Sequence, residues 1–248
     1  HLSLRRQRQM CIRDSMRSDL DFNEFGSASI LDTELTARVS KLLGEALMQN
    51  GQASIVVSGG RTPKGFFQLL SEEDLDWPNI TVTLADERWV DSSHCDSNEK
   101  LVKENLLTNN ASDAKFLPLK NNAITAADGI NKLESHLAAV EDFTVVILGM
   151  GDDGHTASLF PGSEALGLGL DLSSGRHCVA VTPLDAAHER MSMTLPRLLS
   201  AKQIIIHLCG ESKKRVLDQV CAGDDVFELP VRAVLQQHNA PVSVYWSK

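Results

Sequence analysis

The chain has 248 residues, of which 42% are hydrophobic and 23% are charged, and its formal net charge is -9. This composition lies close to the globular average and excludes collagen-like, low-complexity and largely disordered classes. The longest apolar runs, such as residues 143–150, are far shorter than the roughly 18 residues that a membrane-spanning helix needs. The acidic balance also argues against a general nucleic-acid surface. An anionic ligand would therefore need a local cluster of cations and backbone amides.

Residues 1–17 are basic, with five arginines and one acidic residue, and they contain no apolar segment of the kind that a secretory signal requires. We expect translation to begin at Met16. We also expect residues 1–17 to be a non-native or disordered extension and residues 18–248 to form a single domain. The five cysteines are widely spaced and include no C-x-x-C pair, which is typical of reduced thiols in the cytoplasm.

The first predicted element is an amphipathic helix over residues 32–50, in which apolar side chains recur at helical spacing. Asp32 or Thr33 is the expected N-cap, and Gly51 is expected to end the helix. A strand at 54–58, a glycine turn and a short helix at 63–70 follow, with proline in the first turn of that helix.

The same alternation of strand and helix continues to the C-terminus. The further predicted elements are a strand at 80–85, a helix near 98–107, a helix near 124–141, and strands at 143–150, 177–182, 204–208 and 242–246. Residues 190–195 are ambiguous, because their period-2 pattern suggests a strand and Pro196 then opens a short helix. Since β-branched strands separated by helices favour parallel pairing, we predict an α/β fold with a mostly parallel sheet and helices on both faces.

Ligands of open α/β sheets bind beyond the carboxyl ends of the strands, so the residues that follow four of the predicted strands are the candidates for a site. The first group is SGGRTP at 58–63, where two glycines allow close backbone approach and the next helix presents free N–H groups to a phosphate. The segment lacks the lysine of a P-loop. A simple strand-to-helix turn is the alternative.

The second group is DERW at 86–89, together with the polar loop that leads to Asn98. A surface ion-pair patch is the alternative explanation for this run of charges. His94, Cys95 and Asp96 in the loop are residue types that bind metals, but three adjacent side chains need further ligands at suitable spacing to surround one ion. We therefore expect no metal.

The third group is GMGDDGHT at 149–156. It matches G-x-G-x-x-G, but two aspartates would face a pyrophosphate and Pro161 would break the required helix, so the context disfavours dinucleotide binding. His155 lies two residues from Asp153 in this turn. Because histidine titrates near neutral pH, this pair suits general base catalysis, with a purely structural histidine as the alternative.

The fourth group is GESKKR at 210–215, in which a glycine turn brings Lys213 to the start of a helix. Cations are ordinarily disfavoured there. The group is either a solvated basic face or the completion of an anion site. The chain has no G-x-S-x-G elbow and no recognisable cysteine nucleophile motif, so a hydrolytic reaction would have to use activated water.

SGGRTP, ADERWV with the downstream Ser97 and Asn98, GMGDDGHTASLFPGS and GESKKRVL, in this order, closely resemble the 6-phosphogluconolactonase family over about residues 30–248. The resemblance implies a modified Rossmann-like, cytoplasmic α/β domain. It also implies hydrolysis of 6-phospho-D-glucono-1,5-lactone to 6-phosphogluconate, in the oxidative branch of the pentose phosphate pathway, without a metal or cofactor.

The resemblance places the catalytic base on His155, which removes a proton from water as the water attacks C1, with Asp153 orienting the imidazole. The residues expected to bind the substrate and its phosphate are Ser58, Gly59, Gly60, Arg61, Thr62, Asp86, Arg88, Asn98 and Lys213. We expect this small sugar-phosphate lactone to be the binding partner, with no nucleic acid and no membrane. The chain is expected to be a monomer or a weak homodimer.

Two alternatives remain. Hexosamine-6-phosphate deaminases share the SGG-x-TP segment, but they carry Asn-Glu-Pro where this chain has Leu159, Phe160 and Pro161. The glutamate needed for proton transfer during ring opening is therefore missing. A non-catalytic sugar-phosphate sensor would need a partner or a DNA-binding module, and no helix-turn-helix pattern precedes Asp32.

Overall fold

A seven-stranded parallel sheet forms the centre of the molecule in a computed structural model that describes residues 20–184 and 186–248. Its strands are β1 (Asp21–Phe25), β2 (Ala53–Val57), β3 (Ile80–Leu84), β5 (Lys115–Leu117), β6 (Val145–Leu148), β9 (Ile204–Cys209) and β10 (Val242–Ser247). They lie in the order β1-β10-β9-β6-β2-β3-β5, with every pair parallel. The predicted extension at 1–17 lies outside the described residues.

A small antiparallel sheet lies beside the main one. Its strands are β4 (Asp86–Arg88), β7 (Cys178–Val181) and β8 (Arg190–Met193), in the order β4-β8-β7. The mostly parallel α/β fold is thus confirmed. The sequence pattern missed β1, β4 and β5, which are short or lie at a sheet edge. It placed DERW at the end of the strand at 80–85, where the structure has the separate strand β4.

Eight α-helices complete the described part of the chain. They are α1 (Ala28–Asn50), α2 (Lys64–Ser71), α3 (Asn98–Asn105), α4 (Ala126–Ala138), α5 (Leu166–Leu170), α6 (Leu195–Leu199), α7 (Glu211–Val220) and α8 (Arg232–Leu235), and short 3-10 helices occur at Trp77–Asn79 and Asn109–Asp113. Every residue of β2 and β6 is buried, which requires cover on both faces of the sheet. No helix in the described ranges has the length and apolar character to cross a bilayer.

The first helix begins earlier than predicted. Ser27 is the N-cap, because its side chain accepts a hydrogen bond from the N–H of Ile30 at 3.3 Å, and α1 starts at Ala28. Neither Asp32 nor Thr33 caps it, which corrects the prediction. Gly51 ends α1 as expected, with φ of 69° and its N–H bonded to the carbonyl of Leu47.

The ambiguous segment at 190–195 forms strand β8 and then enters α6, which has Pro196 in its first turn, so both parts of that prediction are present. Pro63 lies one position before the first residue of α2 rather than inside its first turn. Differences of one residue at helix ends do not change the placement of the site.

The four strand ends that carry the candidate motifs meet at one edge of the sheet. β9, β6, β2 and β3 are consecutive neighbours. From β2 the chain adds β3 and β5 on one side and later β6, β9 and β10 on the other, so the strand order reverses between β2 and β6. Ligands of open α/β sheets bind at such a reversal.

Candidate active site

A cleft of about 250 Å³ lies at this edge. Nine of the predicted residues line it: Ser58, Gly59, Gly60, Thr62, Asp86, Arg88, Asn98, His155 and Lys213. Two predicted residues do not line it. Arg61 is exposed and lies outside the cleft lining, and Asp153 contacts Nδ1 of His155, which does line the cleft.

The glycine turn between β2 and α2 is held against two neighbouring elements. The hydroxyl of Ser58 donates to the carbonyl of Ile147 at 3.1 Å, which ties the end of β2 to β6. Gly59 packs against the Asn98 amide so closely that a Cβ would overlap it. Gly60 has φ of 100°, a conformation that favours glycine. The backbone therefore lies open to the cleft just before the N-terminus of α2.

Glu87 is buried and supports the start of α3. Its carboxylate accepts backbone N–H bonds from Arg88, Asn98 and Glu99, each at 2.7 Å, and the Ser97 hydroxyl at 3.1 Å. Burial raises the pKa of Glu87, although these hydrogen bonds act in the opposite direction. Glu87 thus holds the helix that presents Asn98.

Asp86 links three segments of the cleft wall. Its carboxylate accepts the Ser158 hydroxyl at 2.5 Å and the Asn98 amide at 3.3 Å, while its carbonyl accepts the same amide at 2.8 Å. Sequence reasoning assigned no role to Ser158, and the one signal for it was its place in the motif GDDGHTAS. Asp86 and Asn98 are therefore fixed in position before any ligand binds.

Arg88 lies opposite a second arginine that sequence reasoning missed. Arg88 and Arg190 are cross-strand partners in β4 and β8. Nη1 of Arg88 donates to the carbonyl of Asp96 at 2.5 Å. Within the described residues, Nε of Arg88 and both Nε and Nη1 of Arg190 are buried without a hydrogen-bond partner. The available signal in the sequence was an arginine at the start of the period-2 segment at 190–195, which forms the fully buried strand β8.

Burial and the charge of Arg88 lower the pKa of Arg190, while Asp86, Asp96 and Glu87 oppose the shift. Arg88 and Arg190 thus keep unpaired, buried N–H donors at this edge of the sheet, with the carboxylates of Asp86, Asp96 and Glu87 nearby. Unpaired buried donors are costly unless a ligand or water completes them. The wall is therefore suited to an anion.

His155 is held by the turn that follows β6. Nδ1 of His155 lies 2.5 Å from Oδ1 of Asp153, and the His155 N–H donates to the same oxygen at 3.2 Å. The N–H of Gly151 donates to the His155 carbonyl at 2.8 Å, and a Cβ at Gly151 would overlap the imidazole. The ring also contacts Phe160, with 4.3 Å between ring centroids.

The pKa of Asp153 reflects two opposing causes. Burial alone raises it, but the hydrogen bond and charge of His155 outweigh burial and lower it below its ordinary value. Asp153 therefore stays a carboxylate that faces Nδ1 of the imidazole. Such a carboxylate fixes both the tautomer and the orientation of a histidine.

Lys213 enters the cleft from the first turn of α7, as the sequence indicated. Gly210 precedes the helix with φ of 100°. Nζ of Lys213 lies 2.8 Å from Oδ1 of Asp152, whose side chain is 74% exposed. An exposed ion pair of this kind is weak. An incoming dianion can therefore replace Asp152 at little cost.

His207, on β9, also lines the cleft and was not predicted. Neither ring nitrogen has a hydrogen-bond partner within the described part of the chain, and Nε2 lies 3.7 Å from Oδ1 of Asp32. Burial lowers the pKa of His207 to about 4. Burial likewise raises the pKa of Asp32, against the hydrogen bond from the N–H of Phe66. A histidine inside an apolar strand was the signal in the sequence.

Among the described residues, one group has the spacing to hold a metal ion: His94, Cys95 and Asp96, in the loop between β4 and α3. None of the three lines the cleft. The cleft itself thus presents arginine, lysine, backbone N–H groups and an oriented histidine, a combination suited to a phosphorylated substrate and to general base chemistry.

Comparison with known proteins agrees with this geometry. The family model described as glucosamine-6-phosphate isomerases/6-phosphogluconolactonase matches residues 27–246. A 6-phosphogluconolactonase of Pseudomonas putida is 42% identical over 224 residues, which are 90% of this chain and 91% of that protein. One of Rhizobium meliloti is 40% identical and covers 90% of this chain and 97% of its own length.

A crystal structure of a 6-phosphogluconolactonase from Shewanella baltica superimposes with a TM-score of 0.91 at 44% identity, and the match covers 93% of this chain and 98% of that one. The strand ends, the cleft and these similarities lead to one assignment. The chain belongs to the glucosamine-6-phosphate isomerase/6-phosphogluconolactonase family.

Proposed function

We propose that this protein is an enzyme that hydrolyses 6-phospho-D-glucono-1,5-lactone to 6-phosphogluconate. The observation that carries the proposal is the Asp153–His155 pair at the edge of a cleft that also contains Arg88 and Lys213. The three proteins compared above, which are 40–44% identical and match nearly the whole chain, are 6-phosphogluconolactonases. This reaction belongs to the oxidative branch of the pentose phosphate pathway.

In the proposed mechanism, His155 acts as the general base. Nδ1 carries its proton toward Asp153, which leaves the lone pair of Nε2 for water. The water oxygen bonds to C1 of the lactone as its proton moves to Nε2. The tetrahedral intermediate then collapses, the bond between C1 and the ring oxygen breaks, and that oxygen takes the proton back from the imidazolium. A lactone is an activated ester, so no covalent enzyme intermediate is needed.

The phosphate group provides the positioning. We assign it to Arg88, Lys213 and the N–H groups of the turn formed by Ser58, Gly59, Gly60, Arg61 and Thr62, with Asp86 and Asn98 shaping the wall beside it. Holding a substrate by a remote group converts binding energy into correct alignment of C1 with the attacking water. Arg61, exposed outside the cleft, would have to contribute through its backbone.

The deaminase alternative lacks a proton donor at the required place. Phe160 occupies the position of the deaminase glutamate, and its ring lies against His155. An apolar ring there cannot transfer a proton during ring opening of an amino sugar. The sensor alternative would keep the cleft but would not need a base oriented by a carboxylate.

A direct assay tests the activity. Lactone is generated in situ from glucose 6-phosphate and its dehydrogenase, and acid release is followed with and without the purified protein. We expect faster acid release and no ammonia from glucosamine 6-phosphate. Ammonia release without lactone hydrolysis would identify a deaminase instead, and tight product binding without turnover would identify a sensor.

We further propose a cytoplasmic location and a monomeric or weakly dimeric state. Within the described residues, none of Cys95, Cys178, Cys209 and Cys221 forms a disulfide, which suits a reducing compartment. The reaction as written uses a histidine, a carboxylate and cations of the protein, so it requires no metal or cofactor.

A further inference from the structure

A cluster of four metal-binding side chains lies beside the cleft, where two loops meet. His94, Cys95 and Asp96 belong to the loop that follows β4, and His188 precedes β8. The separation in sequence between Asp96 and His188 is 92 residues, yet Nε2 of His188 lies 3.1 Å from Oδ2 of Asp96. The fourth donor that the three adjacent residues lacked in the sequence is thus supplied by tertiary structure.

Three of the donor atoms already lie close enough to share one small ion. Nδ1 of His94 lies 3.9 Å from Sγ of Cys95 and 3.8 Å from Oδ2 of Asp96. Bonds of about 2.0–2.3 Å to zinc place the donors of a tetrahedral site roughly 3.3–3.7 Å apart. His94, Cys95 and Asp96 offer donor atoms that all lie within 4.8 Å of one another, and His188 contacts this group through Asp96 at 3.1 Å. The His188 side chain therefore has to move closer to the other donors for all four to bind one ion.

The chemistry of the donors points to zinc rather than to magnesium or calcium. Two imidazoles, one thiolate and one carboxylate are nitrogen, sulfur and oxygen ligands of the kind that zinc accepts, whereas hard cations prefer oxygen alone. A thiolate and a carboxylate together neutralise the dication. The site is exposed at its surface, with side-chain exposures of 41% for His94, 50% for Asp96 and 30% for His188, so an ion can enter from solvent.

The backbone holds the donors toward one another. The Asp96 N–H donates to Nδ1 of His94 at 3.1 Å, so in this arrangement Nδ1 carries the lone pair of the ring and uses it to accept that hydrogen bond. His188 has φ of 70°, a left-handed conformation that is unfavourable for a residue with a Cβ. The rings of His94 and His188 meet edge to face at 5.3 Å. A bound ion would replace the first of these hydrogen bonds with a coordinate bond.

We propose that His94, Cys95, Asp96 and His188 form a zinc-binding site that is separate from the cleft. The ion joins the loop after β4 to the segment before β8. Because the Asp96 carbonyl accepts a hydrogen bond from Arg88, the ion also fixes the loop that anchors this cleft arginine. Binding forms a zinc–sulfur bond as the thiol proton of Cys95 passes to solvent.

Calorimetric titration of the full chain, reduced and without a polyhistidine tag, tests the site with zinc chloride. We expect one zinc per chain and release of close to one proton, measured by repeating the titration in buffers of different ionisation enthalpy. Cobalt should give a thiolate-to-metal absorption band. Substoichiometric binding, or cobalt binding without that band, would overturn the proposal.

Matched variants separate a built site from adventitious binding. Cys95→Ser and His188→Gln should each weaken zinc binding at least about tenfold, because even partners outside the ligand shell contribute 10- to 100-fold. Cys221→Ser and His136→Gln, on other faces, should leave it unchanged. Equal affinity in all four variants would show only adventitious metal. The zinc site does not depend on the proposed function. If the wild-type protein showed no lactonase activity, the zinc titration would still decide the proposal.

Discussion

His155 presents one ring nitrogen to Asp153 and keeps the other for the cleft. Replacement His155→Asn should lower kcat by about 100-fold or more, since a positioned base contributes 10²- to 10⁴-fold. Affinity for 6-phosphogluconate should change little, because the imidazole acts on water and not on the phosphate. Steady-state kinetics, product calorimetry and thermal melting of the same preparation measure this, with the exposed His136→Asn as the control.

The pH profile gives an independent test of the same residue. Only a neutral imidazole accepts a proton, so kcat of the wild type should fall on acidification, and this limb should vanish in His155→Asn. If His155 only braces the turn, His155→Asn should instead lower thermal stability and product affinity together, while kcat stays near that of the wild type.

The phosphate cations also act at the scale of single residues. Arg88→Ala and Lys213→Ala should each cost about 1.5–3 kcal/mol in kcat/KM, the range for hydrogen bonds to charged groups. Kinetics with unphosphorylated gluconolactone should show a much smaller loss. Lys214→Ala is the matched control, because its Nζ lies 3.4 Å from Glu24 and it does not line the cleft. Equal losses on both substrates would place these cations at the reacting carbonyl.

At the scale of elements, Glu87 connects β4 to the N-terminus of α3. Replacement Glu87→Ala leaves three backbone N–H groups without their acceptor, so unfolding in urea should show a loss of roughly 1–3 kcal/mol. Glu87→Gln keeps one acceptor oxygen and should lose less. Glu104→Ala, on the same helix with a side chain 62% exposed, should have little effect. If Glu87→Ala left the free energy of unfolding unchanged, water would be replacing the carboxylate as the acceptor.

At the scale of the whole molecule, buried His207 makes stability depend on pH. Its pKa of about 4 in the folded state lies below that of an unfolded histidine, so the unfolded chain takes up the proton first on acidification. Stability from this residue is complete above about pH 6.5 and declines toward pH 4, by about 2 kcal/mol between pH 7 and pH 5. Asp32, with its raised pKa, partly opposes this loss.

Urea unfolding at pH 7 and pH 5 measures this contribution. The acid-induced loss should be about 2 kcal/mol smaller in His207→Gln, which cannot be protonated, than in the wild type. The exposed His238→Gln should lose as much stability as the wild type. If His207→Gln also lost as much, solvent or Asp32 would be stabilising the protonated ring in the folded state.

Local patterns were sufficient to determine much of this protein from the sequence. Helical spacing, glycine turns and apolar strands predicted the alternating α/β order, and the rule that ligands bind at strand ends brought SGGRTP, DERW, GMGDDGHT and GESKKR to one edge. These signals are local because a turn or a strand end is specified by a few adjacent residues. That residues 18–248 form one domain stays a prediction.

Tertiary structure alone decided the contacts between segments far apart in the chain. Three such contacts join elements that no sequence periodicity connects. They are Arg190 with Arg88, His207 with Asp32, and His188 with Asp96. The short edge strands β1, β4 and β5 were missed for the same reason, since their few residues pair only because a neighbouring strand is already in place. The sequence therefore predicted most of the residues that line the cleft, while tertiary packing determined which of them face one another.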